Sequence, residues 1–413
     1  MGRFAHTCRI VGTGMTRLGK RSLTATELMQ EALEKALQSC RLELRDLDGL
    51  VAVPSLSHPH FMEAHYLATR VGLLPASDRV VRTIDTGGAG PITALLEARR
   101  MIINEHCQAV AVVAGDAVSS MDTKSFLDRA DAGVSPPSSA SSLQQLKTPV
   151  IPHGYSRCTE WHMKTYNTTR EQLAMVSVLM SRQAARHELA LTKHPHKLTD
   201  VLGAKTIAPG IGLLECARRA DGGAAIIVAS SQFLQHKGIL RQGNGGSGDV
   251  VILGGGEAAG PLYPPAVIDE SMYSCEEAAK NAYTETQLEP ADIDWWGLYD
   301  CFPICFLRAI EAVGLADKGR GGEWIEKRYH ETGGDGETLD YDPSIFPVNT
   351  HGGLLAFGAP WETPAIYNVC EGVAQLTGSA GKRQVKNARR ALVYGNGGIF
   401  SASAIALLSR AVD

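Results

Sequence analysis

Two α/β halves built on one repeated strand–turn–helix unit are the fold class that this sequence predicts, and three observations carry the prediction. Two glycine-rich turns of similar design stand far apart in the chain, Asp85-Thr86-Gly87-Gly88-Ala89-Gly90 and Asn349-Thr350-His351-Gly352-Gly353. Each leads through a helical stretch to an apolar strand, Ala109–Asp116 in one half and Ala391–Gly398 in the other, as two copies of a βαβ-type unit would. Strand-like runs such as Gly49–Val53 and Ala224–Ala229 are continuously apolar rather than alternating, the pattern of buried parallel or mixed sheets with helices on their faces.

In chain order, a short strand at Arg9–Gly12 is followed by a helical stretch over Thr24–Cys40 and a strand at Gly49–Val53. The extended run Arg82–Ile84 enters the first glycine-rich turn, and Pro91–Ile102 reads as a helix with apolar residues at helical spacing. A strand that passes through such a turn into a helix aims backbone N–H groups and the positive end of the helix dipole at whatever sits on the turn. A catalytic Cys or Ser normally stands there, yet no Cys or Ser lies between Ser77 and Cys107. The turn reads as a nucleophile elbow without its nucleophile. A long insertion, 121–218, follows the next strand, with its Ser/Pro-rich portion Val134–Thr148 expected as a loop. The glycine-rich runs Gly243–Gly248 and Gly254–Gly256 lack a phosphate-loop spacing and read as a connector. The boundary is placed at Gly260-Pro261, giving an N-terminal half 1–259 and a C-terminal half 260–413.

The chemistry-bearing candidates cluster in the second half. Tyr299 ends the apolar run Trp295–Leu298 and precedes the helix Ile304–Val313, a placement that commonly opens on a cleft. Its hydroxyl can donate a proton or hydrogen bond at neutral pH and becomes a base only where neighbours depress its pKa; a buried tyrosine satisfied by a carbonyl is the competing reading. His351 lies among Asn349, Thr350, Gly352 and Gly353, on the counterpart of the empty elbow, and titrates near neutrality in its ordinary state. Tyr299 and His351 are the acid/base candidates. Backbone N–H groups around Gly88 and Gly353 are candidate oxyanion donors, and His58, Asn349, Trp361 and Asn396 are secondary substrate-binding candidates. Cys301 and Cys305 share a helix face, but no second Cys/His pair completes a metal site, so no metal is expected.

With 413 residues, 44% hydrophobic and 20% charged, the chain has the makeup of a globular protein with room for two cores. A net charge of −4 gives no reason to expect nucleic-acid or anionic-membrane binding, and no apolar run approaches a membrane span. Nine cysteines without paired spacing fit a reducing compartment, so a cytoplasmic location is expected.

Several segments in order resemble the thiolase superfamily, specifically its sterol-carrier-protein-type branch: Ile10–Thr16, the elbow with Ala94–Ala98, Gly115–Ser120, Tyr299-Asp300-Cys301-Phe302, Pro347–Gly353 and Gly395–Gly398. The resemblance implies a thiolase fold with two similar halves, each a five-stranded mixed sheet, in a five-layer αβαβα body. It also implies a homodimer, and a coenzyme A thioester as substrate with no covalently bound cofactor. The family's nucleophilic Cys, expected close to Gly88, is missing; Tyr299 stands where the family has the His of an HDCF segment, and Ala359 where it has the His of GHP. Without a thiolate there is nothing to form an acyl-cysteine at the usual place, and Cys158, Cys301 or Cys305 would have to act from elsewhere. Thiolase-like proteins without the Cys and with Tyr in a YDxF segment are similar to the steroid side-chain aldolases, which cleave a β-hydroxyacyl-CoA and work with a small OB-fold, zinc-ribbon partner. Those aldolases carry a second tyrosine where this chain has Ala359. The segment Asn349–Trp361 is also similar to that of phloroglucinol-type C-acyltransferase subunits, which leaves open an acyltransferase-complex subunit or an inactive, structural one.

Overall fold

The computed structural model describes residues 8–134, 146–239, 249–336 and 339–411. Most of the Ser/Pro-rich run over Val134–Thr148, and the glycine run Gly243–Gly248, lie outside the described residues. The first half comprises strands β1 (Cys8–Met15), β2 (Gly49–Ala52), β3 (Val80–Thr83) and β4 (Ala109–Ala117), interleaved with helices α1 (Ala25–Cys40), α2 (Glu63–Val71) and α3 (Gly90–Asn104). The insertion then holds α4 (Thr123–Gly133), α5 (Val150–Tyr166), α6 (Arg170–Ala184), α7 (Leu198–Leu202) and a small hairpin, β5 (Thr206–Ala208) with β6 (Ile211–Gly212). Strand β7 (Asp221–Ser230), helix α8 (Ser231–His236) and strand β8 (Val250–Ala259) follow. The remainder is α9 (Cys275–Thr286), β9 (Trp295–Gly297), α10 (Pro303–Ala312), α11 (Gly321–Glu331), α12 (Pro364–Thr377), β10 (Arg390–Gly397) and β11 (Ala402–Arg410).

The strands form one nine-stranded sheet in the order β3-β2-β4-β7-β1-β8-β11-β10-β9. Its two halves meet only at a short antiparallel contact of β1 with β8, through Arg9 and Ile10. The expectation of two equal five-stranded sheets is corrected here: five strands belong to the first half and four to the second. Where β3 pairs alongside β2, the second half has only a parallel bridge from Trp296 to Val348. Pro347 is the reason the bridge does not extend, since it has no N–H to give a ladder. Strand β8 pairs along most of its length with β11 and, at Val250 and Val251, with β1.

The repeat is visible in how helices seat on strands. A Cβ on Gly14 of β1 would fall 2.3 Å from the Ala32 carbonyl oxygen of α1, and one on Gly256 of β8 would fall 2.3 Å from the Ala278 carbonyl oxygen of α9. Glycine at both places lets a helix backbone lie directly on a strand. Helix α1 covers one face of β1, β7 and β4, and α9 covers β8 and β11. Helices α3 and α12 touch each other and strands of both halves, so they lie between them. Both start on a proline in the first turn, where a missing N–H costs nothing. The first glycine-rich turn lies against the turn at the end of β10, where a Cβ on Gly87 would fall 3.0 Å from the Gly397 Cα. Among the described residues no helix is long and apolar enough to cross a membrane.

Candidate active site

The elbow that ends in α3, the strand end after β9 and the β10 turn converge on one point. A Cβ built on Gly88 would lie 2.1 Å from the Tyr299 hydroxyl oxygen and 2.5 Å from the Asn396 carbonyl oxygen. The space in which an elbow nucleophile would begin is therefore filled by the phenol of Tyr299. Tyr299 itself is buried, and burial, then Cys301, Cys305, Glu362 and Asp300, push its pKa well above the usual tyrosine value. Each of these influences opposes a phenolate, so the group stands as a proton and hydrogen-bond donor.

Asn349 keeps Tyr299 in place rather than facing a substrate. Its Oδ1 accepts from the Leu298 N–H at 2.7 Å and its Nδ2 donates to the Leu298 carbonyl at 2.7 Å, from a left-handed backbone at φ 46°. This side chain clips the turn onto the strand end. Asn349→Ala is expected to orphan both Leu298 backbone groups, at about 1–3 kcal/mol for each buried group; a urea melt checks it.

Gly353 starts a π-helical turn, Gly353–Phe357, and the Asp300 carboxylate lies where its Cβ would be. Asp300 accepts from the Leu354 N–H at 2.7 Å and from the Leu355 N–H at 3.4 Å, while burial raises its pKa to about 7. Those two amides are thus already taken, and at the elbow the Ala89 and Gly90 N–H groups are likewise given, to the Thr86 carbonyl at 3.3 Å and the Gly87 carbonyl at 2.7 Å. His351 is fully enclosed, with its ring edge-on to Phe357 at 5.0 Å and Nδ1 without a hydrogen-bond partner. Burial lowers its pKa to about 3, so it is a neutral imidazole at physiological pH. The groups that act on it, Glu371, His187 and Arg383, are not those that act on Tyr299. The fold brings Tyr299, Gly88 and Asn396 together, and sets His351 in a separate buried neighbourhood.

Asn396 also donates to the Tyr155 hydroxyl at 2.7 Å, and Tyr155 in turn donates to the Gly398 carbonyl at 2.7 Å, so the β10 turn is tied to α5. His58 is exposed, and its Nδ1 pairs with Ser57 Oγ at 2.8 Å; Ser57 in turn bonds to the buried Asp116. Trp361 is half-buried with a left-handed φ of 47°, meets Phe126 of α4 edge-on at 5.7 Å, and donates from Nε1 to Glu362 Oε1 at 3.2 Å. All nine cysteines are free. Cys158 and Cys305 are buried, with burial pushing the Cys158 thiol up to about 12 and the Cys305 thiol well above its ordinary value, so neither is poised as a nucleophile. Among the described residues no group of three or more His, Cys, Asp or Glu side chains is placed to hold a metal ion.

A family model described as thiolase C-terminal domain-like matches residues 268–410. Acetyl-CoA acetyltransferase of Methanothermobacter thermautotrophicus is 29% identical over 414 residues, covering 97% of this chain and 99% of that protein. Among solved structures, the Ltp2-ChsH2(DUF35) aldolase superposes with a TM-score of 0.79 at 20% identity, covering 99% of this chain and all 100% of the other. The chain is similar to thiolase-superfamily proteins along nearly its whole length. Within the superfamily it is similar to the sterol-carrier-protein-type branch: rabbit (Oryctolagus cuniculus) sterol carrier protein 2 is 28% identical over 265 residues, although the match spans only 45% of that longer protein. A monomeric SCP2-thiolase-like protein from Mycobacterium smegmatis shares the fold with a TM-score of 0.72 at 17% identity, over 99% of this chain and 78% of that one. This thiolase-like chain has glycine and a tyrosine hydroxyl where the sequence resemblance places the nucleophile.

One residue that sequence reasoning missed stands out. Glu362 presents a buried Oε2 with no hydrogen-bond partner, and burial, with Asp85 and Asp116 nearby, raises its pKa to about 8. Its place just before α12 looks in sequence like an ordinary acidic residue at a helix start. Only the fold turns it toward the elbow.

Proposed function

We propose that this protein cleaves a carbon–carbon bond in a β-hydroxyacyl-CoA by a retro-aldol path, with no covalent intermediate. The observation that carries the reading is the Tyr299 hydroxyl standing in the space above Gly88. Retro-aldol cleavage needs the β-hydroxyl proton removed, an enolate oxygen stabilised and a proton returned to Cα, and none of these steps needs a thiolate. Backbone N–H groups around Gly88, at the start of α3, are proposed to face the thioester oxygen, and Tyr299 to supply a proton or hydrogen bond. His351 is proposed as a neutral positioning group behind the second turn. His351→Ala is then expected to lower turnover by about 10²-fold without moving the pH profile; a shifted profile would mean that a proton passes through it.

Coenzyme A thioester as substrate is supported by the fold and by a similar thiolase from Ascaris suum solved in complex with coenzyme A. Partner binding is proposed on two grounds. Strand β3 is the open edge of the sheet, and beside it the segment leading into α2 exposes Phe61 fully and Met62 and Tyr66 in part, which suits a homodimer contact. The similar aldolase is named with a second component, and the sequence resemblance implies a small OB-fold, zinc-ribbon protein in that role. A cytoplasmic location remains part of this reading. The test is purification with native neighbours, followed by an assay for aldehyde or ketone release. Release with a small zinc-ribbon protein bound supports the proposal; no release, with a Cys-bearing thiolase copurifying, would make the chain a structural subunit.

A further inference from the structure

We infer that Glu362 is the general base of this site and works in a proton loop with Tyr299, an inference that rests on the retro-aldol reading. Cleavage needs one group to take the β-hydroxyl proton and one to give a proton to Cα. Tyr299 is poorly suited to the first task, because everything that acts on it most strongly opposes its ionisation. Glu362 offers a free acceptor: Oε1 is engaged by Trp361 Nε1 at 3.2 Å, and Oε2 is buried with nothing bonded to it. Glu362 acts electrostatically on Tyr299, and Asp85 at the elbow and Asp116 at the end of β4 act on Glu362, so the carboxyl belongs to the same electrostatic neighbourhood as the phenol.

The backbone fixes that position. The Ala359 N–H donates to the Arg218 carbonyl at 2.7 Å, the Ala220 N–H to the Ala359 carbonyl at 3.2 Å, and the Thr363 N–H to the Pro360 carbonyl at 3.0 Å. The segment is thus stitched to the end of the insertion before α12 begins, and the left-handed Trp361 turns Glu362 inward. An orphaned buried carboxylate oxygen is costly to keep, and an unused acceptor at a reacting centre is a recurring reason for one.

The protons balance without an external reactant. The Glu362 carboxylate takes the β-hydroxyl proton as the Cα–Cβ bond breaks, leaving the carbonyl product and the acyl-CoA enolate. The Tyr299 hydroxyl gives its proton to Cα, and the proton held on Glu362 then restores the phenol. With a pKa of about 8, Glu362 is mostly protonated at neutral pH, so kcat/KM should climb as pH rises through about 8 and level off above it. The charged groups that act on it most are Asp85 and Asp116, with no cation among them, and Glu362 in turn raises the Tyr299 pKa.

The experiment measures kcat/KM for carbonyl release from a β-hydroxyacyl-CoA between pH 6 and 9.5, for the wild type, Glu362→Gln and Glu362→Asp. Glu362→Gln should fall by about 10²-fold or more and lose the rise, while Glu362→Asp keeps a rise at reduced rate. A second readout needs no turnover. Glu362 binds a proton more tightly folded than unfolded, so its stabilising protonation is complete below the ordinary glutamate range and is lost as pH climbs through about 8. The melting temperature of Glu362→Gln should therefore gain on the wild type between pH 5 and pH 9. A wild type that cleaves, beside a Glu362→Gln that cleaves equally with the same pH profile, overturns the inference and leaves the retro-aldol reading intact. No cleavage by the wild type overturns both, and a melting difference that does not change with pH also contradicts a buried, protonated Glu362.

Discussion

Tyr299→Phe is expected to release no measurable carbonyl product from a β-hydroxyacyl-CoA, a loss of at least about 10²-fold, while melting close to the wild-type temperature. The substitution removes one oxygen and leaves the buried ring in place, so the apolar packing around the elbow survives. What disappears is the atom nearest the Cβ position of Gly88, the Tyr299 hydroxyl oxygen at 2.1 Å. Circular dichroism and a thermal melt separate loss of chemistry from loss of fold. Turnover at the wild-type rate would remove Tyr299 from the reaction.

Gly88→Ala should be comparably damaging by the opposite route. Its new methyl group would start 2.1 Å from the Tyr299 hydroxyl oxygen, 2.4 Å from the ring carbon that bears it, and 2.5 Å from the Asn396 carbonyl oxygen. Two of these neighbours belong to a buried ring and one to backbone, so none yields cheaply. Overpacking of this kind costs about 1–3 kcal/mol, and the displaced phenol should take turnover down by about 10²-fold with it. For the same reason Gly88→Cys will not restore thiolase chemistry: the sulfur's own Cβ has no room while Tyr299 is present. Thiolysis of a 3-ketoacyl-CoA by Gly88→Cys would show that the elbow is looser than its contacts indicate.

Much of this site was legible because it is made of local patterns. The missing nucleophile could be read from one glycine-rich turn, and Tyr299 from its position between an apolar strand and a helix. The repeat was legible too, in the two glycine-rich turns and the apolar strands Ala109–Asp116 and Ala391–Gly398; the matching close packing of Gly14 in β1 on α1 and of Gly256 in β8 on α9 was not. The rest depends on contacts between residues far apart in the chain. Nothing in Asn349 announces that both ends of its amide bind Leu298, or that Asp300 consumes the amides after Gly353. His351 reads as a titrating loop histidine until burial behind Phe357 is seen. Glu362 was hidden for the reverse reason, because a glutamate before a helix has an ordinary explanation. The uneven sheet turns on Pro347, whose missing N–H leaves a bridge at Val348 in place of a fifth strand.

Carbon–carbon cleavage is expected to proceed here without a covalent intermediate, at an elbow filled by a phenol. Intact-protein mass measured during turnover of a β-hydroxyacyl-CoA tests it most directly, with carbonyl release followed in the same sample. The account predicts steady release while the protein mass stays that of the unmodified chain. An acyl adduct that forms and decays at the turnover rate, on any of the nine free cysteines, would contradict it.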